Sequence, residues 1–180
     1  MAEASARRAV VLDVANAEAH ASLAHALQCR GDIEGALAEA ERAVALAPNL
    51  ADARWKLGIA LTMSGQPVEG LATLQTSIRL DPRSPRSAQR RHQMTVSLYF
   101  SREYEAAVEA GKRAIRFCPD FLLTYRWVAA ALGQLGRTAE AKGVLTRAMA
   151  SSIGMHAPPW MPPDDHAHMV EGLRKAGWRG

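Results

Sequence analysis

The 180-residue sequence predicts an all-α solenoid of helix-turn-helix repeats, and three observations predict it. First, hydrophobic residues make up 48% of the chain and aromatic residues only 6%. Much of the apolar fraction is alanine, the strongest helix former and a side chain small enough to let helices approach closely. Second, a proline follows three apolar helical stretches: Val44-Ala45-Leu46-Ala47-Pro48, Ile78-Arg79-Leu80-Asp81-Pro82 and Ile115-Arg116-Phe117-Cys118-Pro119. The spacing is 34 residues from Pro48 to Pro82, then 37 from Pro82 to Pro119, which is the same period plus a three-residue insertion. Third, small residues recur at fixed offsets within that period, as helices that cross closely require.

With each proline at position 32 of its unit, four units run 17–50, 51–84, 88–121 and 122–155, and the insertion is Pro85-Arg86-Ser87. Positions not used to set this register then test it. Position 8 is Ala24, Gly58, Thr95 and Ala129; position 20 is Ala36, Gly70, Ala107 and Ala141; position 27 is Ala43, Ser77, Ala114 and Ala148. The larger apolar positions 7 and 11 hold Leu23 and Leu27, Leu57 and Leu61, Met94 and Leu98, Val128 and Leu132. The first helix of a unit (helix A) and the second (helix B) are expected to cross at the small residues, with positions 7 and 11 filling the space between units. Turns fall at Arg30-Gly31-Asp32, Ser64-Gly65-Gln66-Pro67, Ser101-Arg102-Glu103 and Leu135-Gly136-Arg137. Glycine there permits the left-handed residue that stops a helix. Arg102 in the third unit implies local strain or a different turn.

Before the first unit, residues 2–14 fit a helix B in the same register, with Ala2 at position 20, Ala6 at 24, Ala9 at 27 and Val14 in place of the proline. Residues 1–15 thus read as a half repeat, expected either to cap the array or to be where the chain continues from a longer protein. Beyond the fourth unit, Pro158, Pro159, Pro162 and Pro163 make 156–163 an extended linker. Residues 164–180 read as a capping helix: Asp164 and Asp165 suit its N-terminus. His166, Met169, Val170 and Leu173 share one face, and Gly177 stops it.

A 34-residue period enclosing helix-turn-helix units is the pattern of the tetratricopeptide repeat (TPR), and the chain resembles TPR proteins over nearly its full length. The resemblance implies a right-handed α-solenoid with about four full repeats, an N-terminal half repeat and a C-terminal capping helix. A narrower resemblance rests on Pro119-Asp120-Phe121 through Tyr125-Arg126-Trp127 to Leu135-Gly136, and on Pro162 through Trp178. These stretches are similar to the C-terminal TPR segment of some bacterial adenylate/guanylate cyclases and related winged-helix regulators. That resemblance implies a bacterial signalling context and a regulatory tail with no cyclase core.

TPR arrays line a concave groove with positions 2, 5, 9, 12 and 13 of their A helices. The resemblance therefore implies that Trp55, Ile59, Met63, His92, Val96, Tyr99 and Arg126 face a partner. Trp55, Ile59, Met63, Val96, Tyr99 and Phe100 suggest an apolar floor on which a peptide or helix lies. The alternative is that several of them pack inside a short array. The family's Lys/Asn clamp for a C-terminal carboxylate is missing, since Ala21 and His25 stand at its positions in the first unit. Arg83, Arg86, Arg90 and Arg91, with His92, form a basic cluster that reads as a solvated turn or a dock for an acidic segment.

The net charge of +4 falls short of a nucleic-acid binder's dense basic stripe. No run of about 18 apolar residues suggests a membrane helix, and the N-terminus lacks a secretory core. With two widely spaced cysteines, Cys29 and Cys118, a cytoplasmic protein is expected. His166 and His168 diverge on a helix, and no zinc spacing, phosphate loop or nucleophile motif occurs. The sequence thus predicts no enzyme, cofactor or metal, no nucleic acid or membrane partner, and a scaffold that binds another protein or peptide, with self-association possible.

Overall fold

The computed structural model describes residues 2–149 and 156–179, and those residues form ten α-helices and no strand. The helices are α1 (Ala2–Leu12), α2 (Ala17–Cys29), α3 (Ile33–Leu46), α4 (Ala51–Met63), α5 (Pro67–Leu80), α6 (Ser87–Phe100), α7 (Tyr104–Phe117), α8 (Leu123–Gln134), α9 (Thr138–Met149) and α10 (Pro163–Lys175). Helix α1 lies within residues 1–15. The pairs α2/α3, α4/α5, α6/α7 and α8/α9 are helix-turn-helix pairs, and their first and second helices are called A and B below. The end of the fourth unit, 150–155, lies outside the described residues.

Contacts divide these elements into two compact units, one of α1–α5 with Pro158–Met161 and one of α6–α10. In the first, α4 packs on its own partner α5 and on both helices of the preceding pair, α2 and α3. In the second, α8 packs in the same way on α9, α6 and α7. The small positions explain this. Ala24, Thr95 and Ala129 at position 8, Ala36, Ala107 and Ala141 at position 20, and all four residues at position 27 are buried, as are Gly58 and Gly70. Positions 7 and 11 are less uniform: Leu23, Leu27, Val128 and Leu132 are buried, whereas Leu57, Leu61, Met94 and Leu98 are half-buried.

Helix α1 joins the first unit through Ala6, which packs with Leu23, Leu27, Ala36 and Val10. A polar tie lies beside it. His20 is buried, with Nδ1 2.6 Å from Glu39 Oε2 on α3 and Nε2 3.1 Å from the Val14 carbonyl oxygen. The side chains of Asn16 and Asp32 accept hydrogen bonds from Ala19 N–H and Gly35 N–H, capping α2 and α3. In the first unit Pro159 also lies against the α2–α3 turn: a Cβ on Gly31 would come 2.5 Å from its carbonyl oxygen.

The A helices all end the same way. Gly31, Gly65 and Gly136 take positive φ of 85°, 86° and 70°, and Arg102 takes 64°. The third unit therefore keeps the common turn and carries the strain of a side chain in it, about 1–2 kcal/mol for a non-glycine residue in this region. Gly136 isolates that cost, because a Cβ there would meet nothing within 4 Å. Gly136→Ala is expected to lower stability by about 1 kcal/mol, read as the shift in urea midpoint. An unchanged midpoint would count against a left-handed turn.

Candidate functional site

The seven residues expected to face a partner fall into two sets, one in each unit. In the first unit α4 carries Trp55, Ile59 and Met63, which are 8%, 3% and 4% exposed. Lys56 lies beside them, its Nζ 3.8 Å from the centre of the Trp55 ring. In the second unit α6 carries His92, Val96 and Tyr99, and α8 carries Arg126; these too are buried. All seven side chains are thus under cover in this conformation, as in the alternative of internal packing.

The second unit gathers its set into a defined arrangement. His92 Nδ1 lies 3.2 Å from Thr124 Oγ1, and its ring meets Phe121 edge-on at 5.3 Å. Burial, reinforced by the Arg126 guanidinium, pushes the His92 pKa down to about 3, so the ring is neutral at ordinary pH. Burial likewise lowers the Arg126 pKa. Tyr99 is the centre of an aromatic cluster, with Phe100, Tyr104, Trp127 and His168 all within 6.3 Å between ring centres.

The basic cluster does not form a single solvated turn. Arg83 and Arg86 are exposed, but Arg90 is only 2% exposed and Arg91 is half-buried, with its guanidinium 4.7 Å from the Phe117 ring centre. Arg90 and Arg91 sit on α6, where helical geometry turns neighbouring residues about 100° apart and so toward different surroundings.

What covers Tyr99 is α10. The Tyr99 hydroxyl donates to the His168 carbonyl oxygen at 3.1 Å, and Gln134 Nε2 donates to the same oxygen at 3.1 Å. Tyr104 Oη lies 2.7 Å from His168 Nε2, and Lys175 Nζ donates to Gln134 Oε1 at 2.9 Å. Between these polar ends the two helices touch backbone to backbone. A Cβ on Gly133 of α8 would run into the Gly172 carbonyl oxygen and come 2.9 Å from Ala176 N. A Cβ on Gly172 would come 2.6 Å from the Ala130 carbonyl oxygen and 2.9 Å from Tyr99 Oη. A glycine within a helix costs about 1 kcal/mol, and this close approach is the packing reason for both.

Among the described residues, no three His, Cys, Asp or Glu side chains gather as they would around a metal ion. No helix among them is long and apolar enough to cross a membrane.

Comparison with known proteins agrees with this architecture. The tetratricopeptide-repeat family model matches residues 29–90. Among solved structures, PilW, described as a widely conserved type IV pilus biogenesis factor, is 18% identical with a TM-score of 0.76; the match covers 96% of this chain and 79% of PilW. MamA is 22% identical with a TM-score of 0.67, covering 82% of this chain and 85% of MamA. YrrB, described as a TPR protein with an unusual peptide-binding site, is 16% identical with a TM-score of 0.62, covering 95% of this chain and 90% of YrrB. No curated protein matches the chain. The chain has the fold of the TPR solenoids, and residues 29–90 match the tetratricopeptide-repeat family itself. The narrower resemblance to cyclase tails and winged-helix regulators gains no support from these matches.

Proposed function

We propose that the chain is a non-catalytic adaptor that binds a peptide or helix of another protein on the inner faces of the A helices within its units. The observation that carries this reading is the seat of α10. A helix already lies across the inner positions 9, 12 and 13 of α8, namely Ala130, Gly133 and Gln134. A surface that seats one helix with backbone contact, buried apolar anchors and polar ends has what helix recognition requires. The description of YrrB as peptide-binding is consistent with it. In this reading Trp55, Ile59 and Met63 in the first unit, and His92, Val96, Tyr99 and Arg126 in the second, support the inner faces. The exposed Arg83 in the first unit and Arg86 in the second each offer a positive charge to acidic partner residues.

The test is site-specific photo-crosslinking in the native host. A benzophenone side chain at the exposed inner position His25 should capture a discrete partner, whereas one at the exposed Glu109 on helix B of the third unit should not. Capture at Glu109 with none at His25 would reverse the assignment of faces and defeat the proposal.

A further inference from the structure

We infer that α10 is an internal ligand: it occupies a helix-binding seat made by α8 and the end of α6, and an amphipathic helix of a partner protein with α10's chemistry takes that seat when α10 leaves. This deepens the adaptor reading and rests on it.

The packing of α10 separates it from a cap that continues the array. When a new A helix is added within either unit, it packs on both helices of the pair before it, as α4 does on α2 and α3 and α8 does on α6 and α7. Helix α10 packs on α8, and among the described residues it makes no comparable contact with α9. It reaches past α8 to Tyr99 of α6 and to Tyr104 and Arg102 beside it. It therefore lies across A helices, on the surface where TPR positions 9, 12 and 13 face, and does not stack on the last B helix.

The contact has the form of helix-in-groove recognition. Met169, Gly172, Leu173 and Ala176 stand at i, i+3, i+4 and i+7 and are all buried, the anchor spacing of such complexes. The glycines at 133 and 172 allow an approach that no side chain at either position permits, so the seat selects a helix with glycine at its centre. Its ends are polar and reach solvent. Arg102 lies 3.8 Å from Asp165, Lys175 pairs with Glu171 at 2.9 Å, and all but Asp165 are about half exposed. Such a rim gives orientation with little stability, and a short apolar stripe with the hydrogen bonds of Tyr99, Tyr104 and Gln134 to His168 holds the helix down. Tethering adds the rest, since a linked segment competes at an effective concentration on the order of millimolar. The partner chemistry follows: an acidic first turn to meet Arg102, then Met, Gly and Leu at 0, +3 and +4.

The probe is a fluorescent peptide of residues 162–179, titrated into the full-length chain. Gly172→Leu in the full-length chain bars its own α10 and leaves the seat intact. This variant should bind the peptide at least tenfold more tightly than the wild type, whose own helix competes. Gly133→Leu blocks the seat and should bind none, and a peptide carrying Gly172→Leu should bind neither chain. A Gly172→Leu chain with native circular dichroism that leaves the wild-type peptide unbound would overturn the inference. So would a wild-type dimer held together by exchanged α10 helices. Should Gly172→Leu fail to fold, hydrogen exchange on the wild type decides: α10 amides should exchange at least tenfold faster than those of α6 and α8, and equal protection would overturn the inference. Peptide binding reports on this seat alone, whereas crosslinking at His25 reports on the adaptor reading, so either can fail without the other.

Discussion

Lowering the pH from 7 to 4 should remove about 3 kcal/mol of stability through His92 alone, and His92→Gln should abolish that part of the loss. The ring is 6% exposed, packed edge-on to Phe121 and set against Thr124. Burial first, and the Arg126 guanidinium second, hold its pKa at about 3, against the ordinary value of 6.5. The unfolded chain takes up a proton as the pH falls below about 6.5, and the folded chain does not until about 3. Stability is therefore fully present above 6.5 and falls by about 1.4 kcal/mol per pH unit down to about 3. Between 6.5 and 4 that amounts to about 3 kcal/mol. Glutamine keeps a polar contact for Thr124 and carries no titrating proton, so at pH 7 it should cost only about 1 kcal/mol for the altered hydrogen bond and ring packing. Urea unfolding of both chains at pH 7, 5.5 and 4 measures the difference. Carboxylates titrate equally in the two chains and cancel; parallel stability curves would contradict a neutral, buried His92. Arg126→Met should raise the folded pKa and so reduce the total loss at pH 4 only partly, because burial is the larger cause.

The repeat was legible because each unit states its own packing requirement. A helix pair that crosses closely needs small residues at the crossing whatever surrounds it, and Ala36, Ala107 and Ala141 at position 20 are each fully buried. The turns were legible for a similar local reason, and Arg102 adopts the φ of 64° that its register demands in spite of its side chain. The inner faces were harder to read. Position in a repeat says which way Tyr99 and Trp55 point, but not whether another segment lies over them. The amphipathic stripe Met169, Val170, Leu173 announced that α10 buries one face, and two periodic faces of suitable length can meet in many ways. The missing signal was glycine where the register does not require it. Position 12 holds Gln28, Thr62 and Tyr99 in the first three units and Gly133 in the fourth, and Gly172 interrupts the middle of α10. Two unexplained helical glycines at a cost of about 1 kcal/mol each were a cue to a close helix crossing. The His20–Glu39–Val14 tie and the burial of Arg90 gave no such cue, because their partners are set by tertiary packing and not by the repeat.

Gly70→Leu is expected to destabilise the chain by about 3 kcal/mol or more, while Gly143→Ala is expected to stabilise it by about 0.5–1 kcal/mol. Both glycines lie within B helices, so intrinsic propensity favours replacing either one. Surroundings decide the sign. Gly70 faces Gly58 across the α4–α5 crossing, and a Cβ there would come 2.7 Å from the Gly58 carbonyl oxygen and run into the Thr62 hydroxyl. That hydroxyl already donates to the Gly58 carbonyl at 2.8 Å, so it has no easy retreat. In the other direction, a Cβ on Gly58 would come 2.6 Å from Leu74 Cγ and 3.0 Å from the Gly70 carbonyl. Backbone atoms cannot rotate out of the way as a long side chain can, so a leucine must push α5 off α4. That would open the packing around Leu74, which is fully buried, and expose apolar surface worth about 25 cal/mol per Å². A Cβ on Gly143 meets nothing within 4 Å, which leaves only the gain in helix propensity. Thermal and urea unfolding of the two variants beside the wild type would show shifts of opposite sign. Shifts of the same sign would mean that the α4–α5 crossing is looser than position 8 against position 20 requires, and that the repeat is not close-packed there.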